Sequence, residues 1–195
     1  MKTTTQSKIS AQIKTKTPVI YQLKVVLNDM KPPVWRRVLV RSDIKLSTLH
    51  QVLQLVMGWN DSHLHGFRGN SIEEPNQLRE VPGDERRVLL SSVLKKLNSK
   101  LVYDYDFGDS WEHTVTLEKI MEDSSDNVLP ICLSGKRACP PDDCGGAWNY
   151  PNILKALKDT NHPEHEDWLD WFPQDFDPEK FDIGDVNRKL LRLRR

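Results

Sequence analysis

Cysteine is scarce in this chain of 195 residues, and its placement excludes one class of protein. The three cysteines, Cys132, Cys139 and Cys144, all lie in one short window. An odd, clustered number of cysteines does not match the disulfide framework of a small secreted protein. The pattern predicts a protein of a reducing compartment, the cytoplasm.

Long apolar runs are also absent. No stretch approaches the ~20 apolar residues that a membrane-spanning helix needs. The first residues, MKTTTQSKISAQIKTKT, contain no apolar signal core. We therefore expect no membrane contact and no export. Because residues 1–18 are polar and rich in Thr and Lys, we predict a disordered tail there, followed by a single domain at residues 19–195.

The chain lacks the short motifs that mark common enzymes and nucleic-acid-binding domains. It contains no glycine-rich phosphate loop, no nucleophile elbow and no H-E-x-x-H helix. Signatures of a helix-turn-helix, a zinc finger or an RNA-binding domain are missing as well. These absences favour a binding or adaptor domain over a familiar enzyme.

Net charge is absent too, because 28 basic residues balance 28 acidic ones. The two signs are segregated along the chain: residues 1–60 carry ten basic and two acidic side chains, whereas residues 122–185 carry five and fifteen. Such segregation can steer a protein or nucleic-acid partner. The alternative is that the two charged regions pair with each other or are simply solvated.

Apolar periodicity predicts an α+β fold. In YQLKVVL, Tyr21, Leu23, Val25 and Leu27 alternate with other residues, which is typical of a half-buried strand. The turn-forming NDMKPP and a second strand, VWRRVLV, complete an antiparallel hairpin. The sheet is expected to be antiparallel or mixed and β-grasp-like, with one crossing helix and a helical C-terminal part.

The crossing helix is predicted from Leu49, Val52, Leu53, Val56 and Met57, which recur at helical spacing. Its expected N-cap is Ser47, and Gly58 stands where a left-handed C-terminal cap belongs. Residues 70–86 are expected to form a loop or lid. The C-terminal helices are expected to have Pro151 in a first turn, Pro173 as a stop and Asp177 as a cap.

The stretch YDYDFGDSWEH predicts a second hairpin with an aromatic core face. Tyr103, Tyr105 and Phe107 would point one way and Asp104 and Asp106 the other, with GDS as the turn. Two neighbouring carboxylates suit a divalent cation. With His113 they would also supply acid–base groups, so Asp104, Asp106 and His113 are the candidate catalytic residues. The alternative is an ordinary acidic turn.

Cysteine and histidine side chains offer a candidate metal site, with zinc as the candidate ion. Cys139 and Cys144 are spaced as C-x₄-C, at the wide end of zinc-ligand spacing, and Cys132 could add a third thiolate. His63 and His65, at i and i+2 of a strand, would project to one face and could hold the same ion. The alternative is that these thiols and imidazoles are buried packing residues.

Five motifs together resemble one family. YDYDFGDSWEH, CLSGKRACPPDDCGG, FDPEKFDIGDVN, PPVWRRVLV and MGWNDSHLHGF occur in the order and spacing of the plasmid pRiA4b open-reading-frame-three-like family, from about Tyr21 to Val186. The resemblance implies a single α+β domain of a bacterial or archaeal protein, often plasmid-borne and associated with mobile elements. Some members are labelled resolvase, but this chain shows neither the arginine-rich serine catalytic domain nor the DNA-reading helices of a serine recombinase.

The resemblance marks motif positions without assigning roles to them. Those outside the candidate sites above are Trp35, Arg36, Trp59, Gly108, Asp109, Trp111, Pro140, Pro141, Gly145 and Gly146. Of these we take Trp35, Arg36, Trp59, Asp109 and Trp111 as candidate binding residues.

Three hypotheses for function follow. The first is a cytoplasmic binding or adaptor domain for a protein or nucleic acid. The alternative is a metal-dependent hydrolase or nuclease that uses the His, Asp and Cys residues. The third starts from the stretch at residues 122–151, EDSSDNVLPICLSGKRACPPDDCGGAWNYP, which is expected to be a long loop before the C-terminal helices. In this hypothesis the motifs hold that long loop against the sheet and have no other role.

Overall fold

A computed structural model of the chain describes residues 18–70, 78–123 and 128–194. The predicted disordered tail, at residues 1–18, therefore lies outside the described residues except for Pro18. Part of the predicted lid, residues 71–77, lies outside them as well.

Within the described residues, seven strands form one sheet. They are β1 Val19–Leu27, β2 Val34–Arg41, β3 His65–Asn70, β4 Leu78–Glu80, β5 Lys100–Tyr105, β6 Trp111–Glu122 and β7 Ile131–Lys136. Their order in the sheet is β4-β3-β5-β6-β1-β2-β7, and every pair of neighbours is antiparallel. The fold is thus α+β, and the antiparallel form of the prediction is confirmed.

Two strands occupy segments where loops were expected. Strand β4 lies inside the predicted lid and pairs with β3, and β7 lies inside the long region before the C-terminal helices and pairs with β2. Both strands are at the edges of the sheet, and β4 is only three residues long. Short or irregular edge strands carry little hydrophobic alternation, so the sequence pattern missed them.

Helices cover one face of the sheet. They are α1 Leu46–Met57, α2 Leu90–Val93, α3 Gly146–Lys158, α4 His165–Trp171 and α5 Ile183–Leu190, followed by a short 3₁₀ turn, Leu191–Leu193. The predicted stripe of α1 is buried in full against alternating residues of β1, β2, β5 and β6. At ~25 cal/mol per Å² of apolar surface, this burial is the main stabilising contribution to the fold.

The helix ends show which of the predicted caps are present. Gly58 ends α1 with a φ of 97°, as predicted, and its N–H donates to the carbonyl of Gln54. Ser47 is not the N-cap of α1: the helix begins at Leu46, two residues earlier than that cap implies, and Lys45 occupies the cap without a side-chain bond. Pro151 lies well inside α3, and Asp182, not Asp177, caps α5 by accepting from the N–H of Asp185.

The opposite face of the sheet is polar. Arg68 on β3 makes a two-bond ion pair with Asp104 on β5, with nitrogen–oxygen distances of 2.6 and 2.8 Å. Arg37 on β2 pairs in the same way with Glu118 on β6, at 2.6 and 3.0 Å. An antiparallel sheet with one solvated face gives this alternation of apolar and charged residues. Among the described helices, none has the combination of length and apolar character required to cross a bilayer.

Candidate functional site

The β5–β6 hairpin places its turn at one end of the sheet. The strands end at Tyr105 and restart at Trp111, so the turn is longer than the predicted GDS. Asp106 has a φ of 56°, and its Oδ1 accepts from the N–H groups of Gly108 and Asp109 at 3.0 and 3.3 Å. Phe107 is 59% exposed, so its predicted place on the buried face is wrong.

Three carboxylates surround one imidazole beside this turn. Nε2 of His63 lies 3.8 Å from Oδ2 of Asp106, 3.9 Å from Oδ2 of Asp142 and 3.2 Å from Oδ2 of Asp143. The side chains come from three separate segments: the connection after α1, the hairpin turn and the loop before α3. We call His63, Asp106, Asp142 and Asp143 the His63 cluster.

Asp106 is the unusual member of the His63 cluster. Its side chain is only 8% exposed, and its Oδ2 is buried with no hydrogen-bond partner within the described parts of the chain. A buried carboxylate oxygen without a partner is costly. Atoms of His63, Asp106 and Asp143 that could each donate to a metal lie within 4.8 Å of one another. A cation between them would supply the missing partner of Asp106.

Neighbouring hydroxyls and amides hold the cluster in place. The hydroxyls of Ser62 and Tyr105 donate to Oδ2 of Asp142 at 2.9 and 3.2 Å. Oδ2 of Asp109 accepts from the N–H of Gly145 at 3.0 Å, which ties the hairpin turn to the start of α3. Segments far apart in the chain therefore meet at this end of the sheet, where His63 and Asp106 lie beside each other. Asp142 and Asp143 were missed, although the PPDDC stretch already set two acids beside the cysteines.

His65 belongs to a different group, so the prediction that His63 and His65 face one ion is wrong. Only His65 is in β3, and His63 precedes the strand, so the alternation rule does not apply to the pair. His65 stacks on His50 of α1 with ring centroids 3.6 Å apart, and its Nε2 lies 2.9 Å from Glu85. We call His50, Asp61, His65 and Glu85 the His50 cluster.

The hydrogen bonds of the His50 cluster close a ring whose proton positions can be assigned. Gln54 donates to the hydroxyl oxygen of Tyr103, and the Asp61 N–H donates to Oε1 of Gln54. Burial raises the pKa of Tyr103, so its hydroxyl keeps its proton and donates to Nδ1 of His50. Nε2–H of His50 then donates to Asp61 at 2.9 Å. His50 is therefore neutral. This agrees with the pKa of the His50 imidazole, which is lowered by burial and by the neighbouring His65.

Asp104 and His113 do not join Asp106 in a catalytic group. Asp104 lies on the polar face of the sheet and is occupied by Arg68. His113 is fully buried, with its Nδ1 3.2 Å from the carbonyl oxygen of Tyr103. The predicted side-by-side pair of Asp104 and Asp106 fails because Asp106 leaves the strand with a positive φ, which ends the alternation.

His113 makes the fold sensitive to acid. Burial lowers its pKa to about 4, below the ~6.5 of an unfolded histidine. The unfolded chain then binds more protons between those two values, so the free energy of unfolding falls as pH drops from about 6.5 to 4, by roughly 3 kcal/mol. Urea unfolding at a series of pH values should show this loss, and His113→Phe should remove it. If the variant lost stability with falling pH as the parent protein does, His113 would not be the cause of the acid sensitivity.

The three cysteines are free thiols. Cys132 is on β7, and its backbone N–H and carbonyl bond to the side chain of Asn187 on α5. Burial raises the pKa of all three thiols, that of Cys144 to about 12. The groups of side chains that could hold a metal, among the described residues, contain no cysteine. Packing, the alternative interpretation, matches this environment, and the cysteine–zinc site stays a prediction.

Most of the candidate binding residues are buried. Trp111 is fully buried and Trp59 is 5% exposed, with its Nε1–H donating to the carbonyl of Pro140. Arg36 is 2% exposed and donates to the backbone carbonyls of Val56, Trp35 and Lys136. These three residues leave no surface for direct contact with a partner, so that prediction is corrected.

Trp35 and Asp109 differ from these three. Trp35 is half-buried on the polar face of the sheet, beneath the cationic groups of Lys24 and Arg37. Asp109 holds the turn to Gly145 beside the His63 cluster.

Comparison with known proteins identifies the family. The family model described as Plasmid pRiA4b ORF-3-like protein matches residues 19–185. This chain belongs to the pRiA4b ORF-3-like family. The uncharacterized protein y4hQ of Sinorhizobium fredii is 37% identical over 176 residues, which cover 88% of this chain and 90% of the relative.

A crystal structure shares the fold of this ORF-3-like protein. It is that of MM3350, a protein of unknown function from Methanosarcina mazei Go1, with a TM-score of 0.78 and 38% identity. The match covers 88% of this chain and 99% of that one. Neither relative's name states a reaction, substrate or partner, so no reaction is established through them.

Proposed function

We propose that this ORF-3-like protein binds a divalent metal ion at the His63 cluster and uses it for metal-assisted hydrolysis. The observation that carries the proposal is the buried Oδ2 of Asp106, which has no hydrogen-bond partner among the described residues and lies 3.8 Å from Nε2 of His63. A cation would supply the partner that this buried carboxylate oxygen lacks.

The donor set indicates which ions fit. One imidazole and three carboxylates match ions that accept both nitrogen and oxygen ligands, of which Mn²⁺ and Zn²⁺ are the common examples. Thiolates are not required. The Oδ1 of Asp106 is already committed to the turn amides, so Asp106 would offer Oδ2 alone.

The exposure of the cluster favours catalysis over a purely structural ion. Asp143 is 56% exposed and His63 25% exposed, so solvent and a substrate can reach the ion. An ion with an open position lowers the pKa of bound water and polarises an ester or phosphoryl oxygen. Asp142, which accepts bonds from Ser62 and Tyr105, would orient the bound water or accept its proton. The substrate class would be a phosphate or carboxylate ester, including a nucleic-acid backbone.

Metal content is the direct test. Freshly purified protein should contain close to one equivalent of metal by mass spectrometry, and the metal-stripped protein should regain it and a higher melting temperature with Mn²⁺ or Zn²⁺. Asp106→Asn should weaken binding at least tenfold. Asparagine keeps the Oδ1 acceptor of the turn and tolerates a positive φ, so the loss would come from the missing charge.

Asp104→Asn is the matched control, because it makes the same change on the same hairpin away from the cluster. It should leave metal binding unchanged. Cys139→Ser should also retain the metal, whereas a cysteine–zinc site would lose it. Protein that takes up no stoichiometric metal, or equal losses in Asp104→Asn and Asp106→Asn, would remove the proposal.

The polar sheet face favours a second candidate, the binding or adaptor domain. Trp35, flanked by Lys24 and Arg37 at 5.9 and 5.3 Å from its ring, offers an aromatic and basic surface suited to a nucleic-acid strand or an acidic peptide. Trp35→Ala would abolish such binding without affecting metal content. A cytoplasmic location, a single domain over residues 19–195 and a β-grasp-like relationship of the sheet belong to the same proposal.

A further inference from the structure

Large apolar side chains are exposed next to the His63 cluster. Among the described residues, the four most exposed are Trp148 at 79%, Leu64 at 75%, Val128 at 60% and Phe107 at 59%. All except Val128 lie beside the cluster in sequence: Leu64 and Phe107 each directly follow one of its members, and Trp148 is in the first turn of the helix after it. Apolar surface that is concentrated in one place commonly marks a binding site.

Backbone contacts join the three segments that carry these side chains. The Asp106 N–H donates to the carbonyl of Leu64 at 2.9 Å, which brings Leu64 beside the turn that contains Phe107. At the other end of that turn, the Gly145 N–H donates to Oδ2 of Asp109 at 3.0 Å. The start of α3 therefore lies against the same turn.

Trp148 lies on the side of α3 that is nearest the cluster. Side chains of a helix lean toward its N-terminus and cover the preceding turn, which here is the loop with Asp142 and Asp143. Trp148 is not among the buried residues of α3, so packing of the helix does not account for it. We call Leu64, Phe107 and Trp148 the apolar rim.

The charge of the cluster disfavours a polyanion. Asp106, Asp142 and Asp143 each pair with His63 rather than with a lysine or an arginine. One divalent ion would leave these three carboxylates with a net negative charge, and Asp109 adds another beside them. A nucleic-acid strand binds through basic side chains that neutralise its phosphates. A neutral or singly charged molecule fits the surroundings of the cluster better.

We infer that the apolar rim holds the apolar body of the substrate, which makes the substrate class at this site a small ester with an aromatic or acyl group. This inference rests on the proposed function, since the ester group would lie at the His63 cluster. The rings of Phe107 and Trp148 would contact the apolar body. Hydrolysis would consume one water and release the acid and the alcohol.

Two hydroxamates test the apolar rim without relying on catalysis. Both chelate Zn²⁺ through the same group, but benzohydroxamate has a phenyl ring where acetohydroxamate has a methyl group. In isothermal titration calorimetry with Zn²⁺-loaded protein, benzohydroxamate should bind at least tenfold more tightly, because its ring is removed from water. Equal affinities would overturn the inference and leave the metal site standing. Protein that holds no Zn²⁺ would instead remove the proposed function and the inference with it.

Competition with a single-stranded oligonucleotide tests the excluded substrate class. The oligonucleotide should not displace benzohydroxamate from the Zn²⁺-loaded protein, because the cluster repels a polyanion. Displacement would show that a nucleic acid binds at the cluster and would overturn the inference.

A double variant identifies the rings. Phe107→Ala combined with Trp148→Ala should remove the tenfold preference for benzohydroxamate, with metal content and acetohydroxamate affinity unchanged. Both side chains are exposed, so the variant should fold. Trp171→Ala is the matched control, because Trp171 is 54% exposed on α4, outside the rim. An unchanged preference in the double variant, or an equal loss in Trp171→Ala, would contradict the assignment of the rim.

Discussion

Trp111→Ala is expected to lower the free energy of unfolding by about 3–5 kcal/mol, the range for truncating a buried aromatic side chain. Trp111 opens β6 and is fully buried, with its ring 5.9 Å from that of Trp59. Truncation would leave a cavity under the turn that carries Asp106. Urea unfolding followed by circular dichroism measures the loss.

Trp148→Ala is the matched control for Trp111→Ala. Trp148 lies in the first turn of α3 and is 79% exposed. The same chemical change should therefore alter stability by no more than about 0.5 kcal/mol. Comparable losses in the two variants would contradict the packing role of Trp111. A large difference would show that this motif residue acts in the fold, as in the hypothesis that the motifs hold the loop to the sheet.

The central hairpins and α1 could be predicted because their signal is local. Apolar side chains alternate along β1 from Tyr21 to Leu27 and recur in β6 at Trp111, Val115 and Leu117. A sheet covered by helices on one face buries these residues. The stripe of α1 and the glycine that ends it are equally local, since a left-handed cap favours glycine for steric reasons alone. Residues such as Leu23, Val115 and Leu53 are fully buried, as this pattern requires.

The candidate site could be predicted only in part, because it depends on where strands stop. The alternation of YDYDF would continue through Asp106, but the backbone turns to a positive φ there and moves Asp106 to the end of the sheet. His63 and His65 are separated because β3 begins only at His65, which leaves His63 outside the strand. The sequence contains no local signal for either break.

Long-range contacts account for the remaining differences. Asp142 and Asp143 meet His63 across about eighty residues of chain, and His50 meets His65 through the packing of α1 on β3. Arg36 was a candidate contact for a partner, but its guanidinium satisfies three backbone carbonyls from different segments. A buried arginine with such partners cannot be distinguished from an exposed one by its neighbours in sequence.

Gly146→Ala is expected to destabilise the fold by about 2–5 kcal/mol, the sum of a left-handed backbone penalty and a steric clash. Gly146 begins α3 with a φ of 76°, and an added Cβ would overlap the backbone oxygen of Asp109. This contact joins the hairpin turn to the loop that carries Asp142 and Asp143. Forcing the two segments apart should also weaken metal binding at the His63 cluster, as measured by titration of the metal-stripped protein.

Gly58→Ala distinguishes the left-handed backbone penalty from the steric clash of the added Cβ. Gly58 has a φ of 97°, but an added Cβ would meet nothing within 4 Å, so only the backbone penalty of about 1–2 kcal/mol applies. Its metal affinity should match that of the parent protein, because Gly58 ends α1 and does not contact the turn. If both variants lost the same stability and Gly146→Ala bound metal normally, the contact between Gly146 and Asp109 would not position the cluster. A loss of metal affinity confined to Gly146→Ala would tie the ligand geometry to this one backbone approach.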